Sequence, residues 1–165
     1  MMIGSAALQG VLKESGKTIL NLIKGWNFFL KNEVVVGITM ESNSGRGSVN
    51  NAELLYLHEC GVPSKNIPPR PVLKPALNQP DVKMKIEKLM RDAALEALVM
   101  GSPENAEKNF HKAGMIGRDA CKKWISDGGH LAPNAPATIA RKGSSKPLID
   151  TGSMLGSITY AVRRK

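Results

Sequence analysis

Residues 78–129 read NQPDVKMKIEKLMRDAALEALVMGSPENAEKNFHKAGMIGRDACKKWISDGG, two helical stripes in succession. Asn78 and Asp81 have the spacing of a capping box, after which Val82, Ile86, Leu89, Met90, Ala93, Ala97 and Met100 share one face up to Gly101. Ser102-Pro103-Glu104 then restarts a helix, with a serine N-cap, a proline whose missing N–H is no loss in a first turn, and an acid near the positive end of the helix dipole. Ala106, Phe110, Ala113, Gly114, Gly117, Cys121, Trp124 and Ile125 form the second stripe, which ends at Asp127-Gly128-Gly129. Two long helices joined by so short a turn must pack as an antiparallel hairpin or bend sharply.

On the N-terminal side, Leu8, Leu12, Ile19, Ile23, Trp26 and Leu30 recur near helical spacing with lysines between them, an amphipathic helical arm over residues 1–31. Gly10, Gly16 and Gly25 each weaken a helix interior by about 1 kcal/mol relative to alanine, so the arm needs a partner surface. The β-branched run Val34-Val35-Val36-Gly37-Ile38-Thr39-Met40 predicts a strand, closed by the turn-forming Glu41 to Gly47. Residues 51–59 read as a short helix with Leu54, Leu55 and His58 near one face. Pro63, Pro68, Pro69, Pro71 and Pro75 make the next stretch an irregular, rigid connector. Residues 131–148 have no period and many Pro, Ala, Ser and Lys, a long flexible loop. Ser157 to Arg163 alternates apolar and polar, a closing strand. The expected fold is α+β: a small antiparallel β-sheet packed against a long helical hairpin, with an N-terminal helical arm and a single α+β domain over residues 32–165.

Composition limits function. The 165 residues (17.8 kDa) are 42% hydrophobic and 22% charged, which excludes a fibrous repeat or wholesale disorder, and at 4% aromatic there are few rings to stack on bases. The net charge of +9 is concentrated at the ends: Lys13, Lys17, Lys24 and Lys31 against Glu14, and Arg141, Lys142, Lys146, Arg163, Arg164 and Lys165 against Asp150. Basic ends on a nearly neutral body favour an acidic partner or a phosphate backbone, with Lys122, Lys123, Arg141, Lys142, Arg163, Arg164 and Lys165 as candidate phosphate contacts. Cys60 and Cys121 belong to no metal-ligand spacing and read as buried reduced thiols. Met1 to Ser5 lacks the features of a signal peptide and no run is long enough to span a membrane, so the expected setting is a cytoplasm without a membrane partner.

Catalytic patterns fail on spacing. Ser15-Gly16-Lys17-Thr18 resembles the tail of a phosphate-binding loop, but the required glycine falls on Val11 and no strand precedes it. His58-Glu59 lacks the second histidine of a zinc-protease helix, position 62 being valine, and His111 and His130 lie in other segments. Ser144 and Lys146 have no nucleophile elbow around them, and Glu53, Glu59, Asp127 and Asp150 form no acid/base pattern. The chain is read as a non-enzyme with no catalytic residue, cofactor or metal.

Three segments carry a resemblance. Tyr56-Leu57-His58-Glu59-Cys60-Gly61 followed by Ile67-Pro68-Pro69-Arg70-Pro71-Val72-Leu73-Lys74-Pro75-Ala76 resembles the H-E-F-G…I-P-P-R-P-F-L-R-P-A signature of phage virion-morphogenesis proteins, the neck, tail-completion and minor tail proteins of tailed phages and prophages. Leu131-Ala132-Pro133-Asn134-Ala135-Pro136-Ala137-Thr138-Ile139, Lys142 and Pro147-Leu148-Ile149-Asp150-Thr151-Gly152-Ser153-Met154-Leu155-Gly156-Ser157-Ile158 are similar to the family's L-x-P-x-T-I…K…P-L-I-D-T-G-x-L-x-x-S-I. The likeness covers residues 33–163. The chain departs from the pattern at Cys60, at Val72, and in the inserted Ala135-Pro136, the last of which bears on partner specificity.

The resemblance implies a structural virion protein that completes the tail or joins it to the head as a homo-oligomer, a hexameric ring. Its partners would be connector or neck, tail-terminator and tail-tube proteins, with non-specific contact to packaged DNA. Its place would be the virion, reached from the host bacterial cytoplasm. Non-specific nucleic-acid binding through the basic termini is the alternative. Under this reading His58, Glu59, Gly61, Pro68, Pro69, Arg70, Pro71, Asp150, Thr151, Gly152 and Ser157 are interaction or structural residues. The prolines form a stiff ledge, and Arg70 offers a planar fork to a carboxylate across a subunit boundary. Asp150-Thr151-Gly152 reads as a capped turn with Gly152 at positive φ. The arm and the 131–148 loop are expected to order on assembly.

Overall fold

The structure, a computed structural model, describes residues 5–46 and 49–165, without the side chains of residues 5–12, 45 and 46. The parts of the arm and of the first turn that fall on Met1 to Gly4 and on Gly47 lie outside the described residues. In order, the elements are α1 (Ser5–Lys31), β1 (Asn32–Gly37), β2 (Gly45–Arg46), β3 (Val49–Asn50), α2 (Asn51–Cys60), a 3-10 turn (Pro63–Lys65), α3 (Leu73–Leu77), α4 (Pro80–Ala94), a π-helical turn (Leu95–Val99), α5 (Pro103–Asp127), α6 (Pro136–Lys142), α7 (Ser153–Ser157) and β4 (Thr159–Arg164). β1 pairs with β4 in a small antiparallel sheet, and β2 pairs with β3. The fold is α+β.

Two compact units divide the chain. The first holds residues up to Val34, Glu87–Ala113 and Val162–Lys165. Its core is Ala93, Ala97, Ala106 and Phe110, and Phe28, Phe29, Met90, Val34 and Val162 pack against it. All three phenylalanines of the chain meet here, with centroid separations of 5.2 to 5.5 Å in tilted and edge-on geometry. Phe110 is 1% exposed and anchors the group.

In this unit α1 lies on the π-helical turn. The close approach is made by Gly25: a Cβ there would collide with the main chain of Ala97 and Leu98. The apolar stripe that the sequence marks as needing a partner surface is not the face that meets this turn. Asn21, Gly25, Phe28 and Phe29 face protein, whereas Ile19, Ile23, Leu30 and Trp26, the last 62% exposed, form a solvent-facing stripe. Only a glycine lets two helical backbones approach this closely.

The stripe predicted along residues 82–100 also needs a correction at its end. Met100 is exposed because Leu95–Val99 adopts a π turn, in which Met100 N–H donates to Leu95 C=O at 3.1 Å, and the extra residue in that turn rotates later side chains off the face. Asn78 does not cap α4; it is the C-cap of α3, and Gln79 C=O accepts the first bond of α4 from Lys83 N–H at 2.8 Å. Gly101 at φ +67, Ser102 C=O accepting from Ala106 N–H at 3.2 Å, and Gly128 at φ +61 mark the helix boundaries where the sequence placed them.

The second unit holds Val35–Ile86 and Gly114–Ala161. Its core comprises Leu55, Val72, Ala76, Cys121, Ile125, Met154 and Ile158. Small residues on α5 let the strands lie against it: Gly114 faces the Tyr160 ring, and a Cβ on Gly117 would sit 2.9 Å from Val36 Cγ2 and 3.1 Å from Leu77 Cδ2. β1 stops at Gly37, short of Met40, because its partner β4 begins only at Thr159. Within the proline-rich connector a short helix, α3, forms after all; Pro75 is its third residue, where no intrahelical N–H bond is required.

The 131–148 segment is not a featureless loop. Pro136 opens α6 at its first position and Gly143, at φ +67, closes it, while Asn134 Nδ2 donates to the carbonyls of Ser145 at 3.2 Å and Lys146 at 3.1 Å. Seven residues are too few to show a helical period, which is why the pattern was silent.

Gly16 and Gly25 provide a paired test on one helix. Gly16→Ala, with nothing near the added Cβ, raises stability by about 1 kcal/mol, whereas Gly25→Ala lowers it by about 2 kcal/mol through backbone displacement. Chemical denaturation of the two variants reads the opposite signs directly.

Candidate functional site

The resemblance residues converge in the second unit, beginning at the C-terminal end of α2. That helix starts with a reciprocal capping box between Asn50 and Glu53 and ends at Gly61, whose φ of +72 and N–H bond to Leu57 C=O at 2.8 Å close it. A Cβ on Gly61 would lie 2.7 Å from Pro69 N and 3.0 Å from Ile67 O, so glycine lets the returning chain pass against the helix end. Arg70 N–H donates to His58 C=O at 2.6 Å, and Glu59 Oε1 accepts from the Val72 and Leu73 amides at 2.8 and 2.6 Å. Those amides open α3 and would otherwise be orphaned, and Glu59 places its charge on them.

Arg70 is 6% exposed. Its Nε donates to Ala132 C=O and its Nη2 to Pro133 C=O, both at 2.7 Å. The guanidinium fork expected to meet a carboxylate across a subunit boundary is thus engaged with main-chain carbonyls of its own chain. Pro68, Pro69 and Pro71 are exposed around it, and Pro71 C=O accepts from Trp124 Nε1 at 3.1 Å.

Asn51 is a residue that spacing did not single out. It is 5% exposed, and its Nδ2 lies 2.8 Å from Ser157 Oγ, 3.0 Å from Ser153 Oγ and 3.1 Å from Ser44 Oγ, more acceptors than its two hydrogens serve at once. Ser157 is consequently buried in an internal network and not presented to a partner. The only sequence signal for Asn51 was its place next to a helix N-cap. Gly152 takes φ +80, Thr151 Oγ1 accepts from Ser153 N–H at 3.4 Å, and Asp150 and Thr151 are exposed.

Among the basic residues, Lys122 Nζ reaches Gly156 C=O at 3.5 Å, Lys142 Nζ reaches Lys146 C=O at 3.1 Å, and Lys123, Arg141 and Arg164 are exposed. In the first unit Arg163 Nε pairs with Glu33 Oε1 at 2.9 Å, and Lys165 N–H donates to Lys31 C=O. In the second unit Arg141 and Lys142 share a cavity wall, and in the first unit Arg163 is spent on Glu33.

That cavity has a volume of about 660 Å³ and is lined by His58, Arg70, Arg141, Lys142 and Asp150 with apolar residues between. Burial, then the charges of Arg70 and Lys142, push the His58 pKa below its ordinary 6.5, and its Nδ1 is buried with no hydrogen-bond partner. Burial, reinforced by Glu59, pushes the Cys121 thiol up to about 12. Cys60 corrects the expectation of two buried thiols, since it is exposed at the last turn of α2. Among the described residues no group of three metal-ligating side chains occurs. No helix of the described residues is long and apolar enough to cross a membrane.

Arg70→Met lowers stability by about 3 kcal/mol, because it strips two main-chain carbonyls of a charged donor; Arg70→Lys restores little, lacking the second arm of the fork. His58 generates a pH dependence of known sign. Its pKa is lower folded than unfolded, so the unfolded chain binds more protons, and the contribution present above about pH 6.5 is lost as pH falls. Urea unfolding between pH 7 and 5.5 shows a decline that His58→Gln reduces.

No family model, curated protein or solved structure matches the chain.

Proposed function

We propose that this chain is a structural virion protein of a tailed phage, which completes the tail or joins it to the head at the neck as a homo-oligomeric ring. The observation that carries this reading is the use made of the resemblance residues. Glu59 holds the amides of α3, Arg70 holds the carbonyls of Ala132 and Pro133, and Ser157 closes the Asn51 network. Side chains that brace the backbone of one segment against another supply rigidity, which a subunit needs if it is to repeat around an axis. Such chemistry transfers no group.

The exposed stripe Ile19, Ile23, Trp26 and Leu30 supports the same reading, since contiguous apolar surface on a soluble chain marks an interaction site more often than it marks nothing. The partners are the neighbouring connector, neck, tail-terminator or tail-tube proteins, and the place is the virion.

Light scattering of the purified protein, alone and mixed with its connector and tail-tube proteins, tests this. A discrete multiple of 17.8 kDa, alone or only in the mixture, is the expected result. A monomer that ignores every virion partner yet binds random-sequence DNA and releases it at high salt overturns the proposal in favour of a nucleic-acid binder.

A further inference from the structure

The cavity beside α6 has a chemistry that the bracing role of its neighbours does not use. Four cationic or protonatable side chains, His58, Arg70, Arg141 and Lys142, line it against one carboxylate, Asp150. Arg70 has committed Nε and Nη2 to carbonyls, and Lys142 has one bond to Lys146 C=O, but their charges remain, and Arg141 is exposed at the same wall. Burial first, and then the charges of Arg70 and Lys142, lower the proton affinity of His58 at this wall.

A second cavity of about 220 Å³ is lined by Leu54, Leu148, Asp150 and Met154 as the first is, so aliphatic side chains lie beside the cationic wall. Leu148 takes φ +60, a conformation that costs a leucine about 1 kcal/mol or more and persists only where its surroundings impose it. A cationic wall with aliphatic side chains beside it matches an elongated ligand with a carboxylate near an aliphatic side chain. A compact anion would leave those aliphatic side chains without a contact.

We infer that this site binds an extended acidic peptide segment of another protein chain, its carboxylate between Arg141, Lys142 and His58 and an adjacent aliphatic side chain on Leu54, Leu148 and Met154. Asp150 lines both cavities. A DNA duplex carries its phosphates on a convex surface and has nothing to place on the aliphatic side chains, so charge complementarity and shape both favour the peptide. The inference stands on this unit's geometry and does not depend on the virion reading.

The test is a titration of the full chain with a pool of end-blocked hexapeptides carrying Glu or Asp at alternate positions and Leu, Val or Ala between. Binding is followed through the His58 ring signals and the backbone amides of residues 138–142 and 148–150. Saturable shifts are expected, with affinity at least about tenfold weaker for the Gln/Asn version of the pool and for the double variant Arg141→Gln, Lys142→Gln. Far-UV circular dichroism checks that the variant is folded, and the neutral pool tests the charge requirement on the unaltered protein. The proposal is overturned by the absence of saturable shifts up to roughly 1 mM peptide, by equal binding of the neutral pool, or by a random-sequence duplex that moves the same signals in place of the peptide.

Discussion

A guanidinium removed from water must be surrounded by acceptors, and in the second unit Arg70 finds them on the main chain. Its two bonds to Ala132 and Pro133 tie the segment after α2 to the segment after α5, which are more than sixty residues apart in sequence. Glu59 performs the complementary task with the opposite charge, accepting from the amides that open α3. Between them the acid and the base satisfy backbone groups on both sides of a connector too rich in proline to form its own ladder. Val72, fully buried between those two attachments, is then fixed over Ala76, Cys121 and Ile125. The apolar core of this unit is assembled around a polar clamp.

The first unit is held differently. Its core residues are alanines and phenylalanines: small side chains permit helices to approach, and the three rings of Phe28, Phe29 and Phe110 supply the buried area that alanine cannot. Gly25 against Ala97 belongs to the same logic. The π turn at Leu95–Val99 presents its backbone to α1 at that point, and the cost is borne by Met100, which is turned out to solvent. An apolar stripe on α1 remains uncovered, so the helix has one face committed to its own chain and another free for contact.

Where sequence reasoning erred, a tertiary neighbour had overruled a local preference. Gly25, which composition marks only as a weak point of the helix, is the residue that lets α1 approach the main chain of Ala97 and Leu98. The pattern at residues 131–148 concealed α6 because seven residues make too few turns to show periodicity, although Pro136 and Gly143 stood at its ends as punctuation. Arg70 was legible as a planar fork but not by its partners, since carbonyls have no signature in sequence. Asn51 was not legible at all: three serines become its acceptors only when residues 44, 153 and 157 are brought together.

By itself the sequence determined the α+β class, the two long helices with the stop at Gly101, the restart at Ser102 and the stop at Gly128, and the existence of the two strands of the small sheet, but not their ends: β1 stops at Gly37 and β4 begins at Thr159, with Ser157 in α7. It could do so because helical and strand periods, caps and glycine stops are written within a few residues of where they act. Which face of α1 is buried, where Arg70 and Glu59 find their partners, and that His58, Arg141, Lys142 and Asp150 border one cavity were decided by the tertiary structure. Those properties depend on pairs of residues remote in the chain, and the distance between such pairs is set by packing.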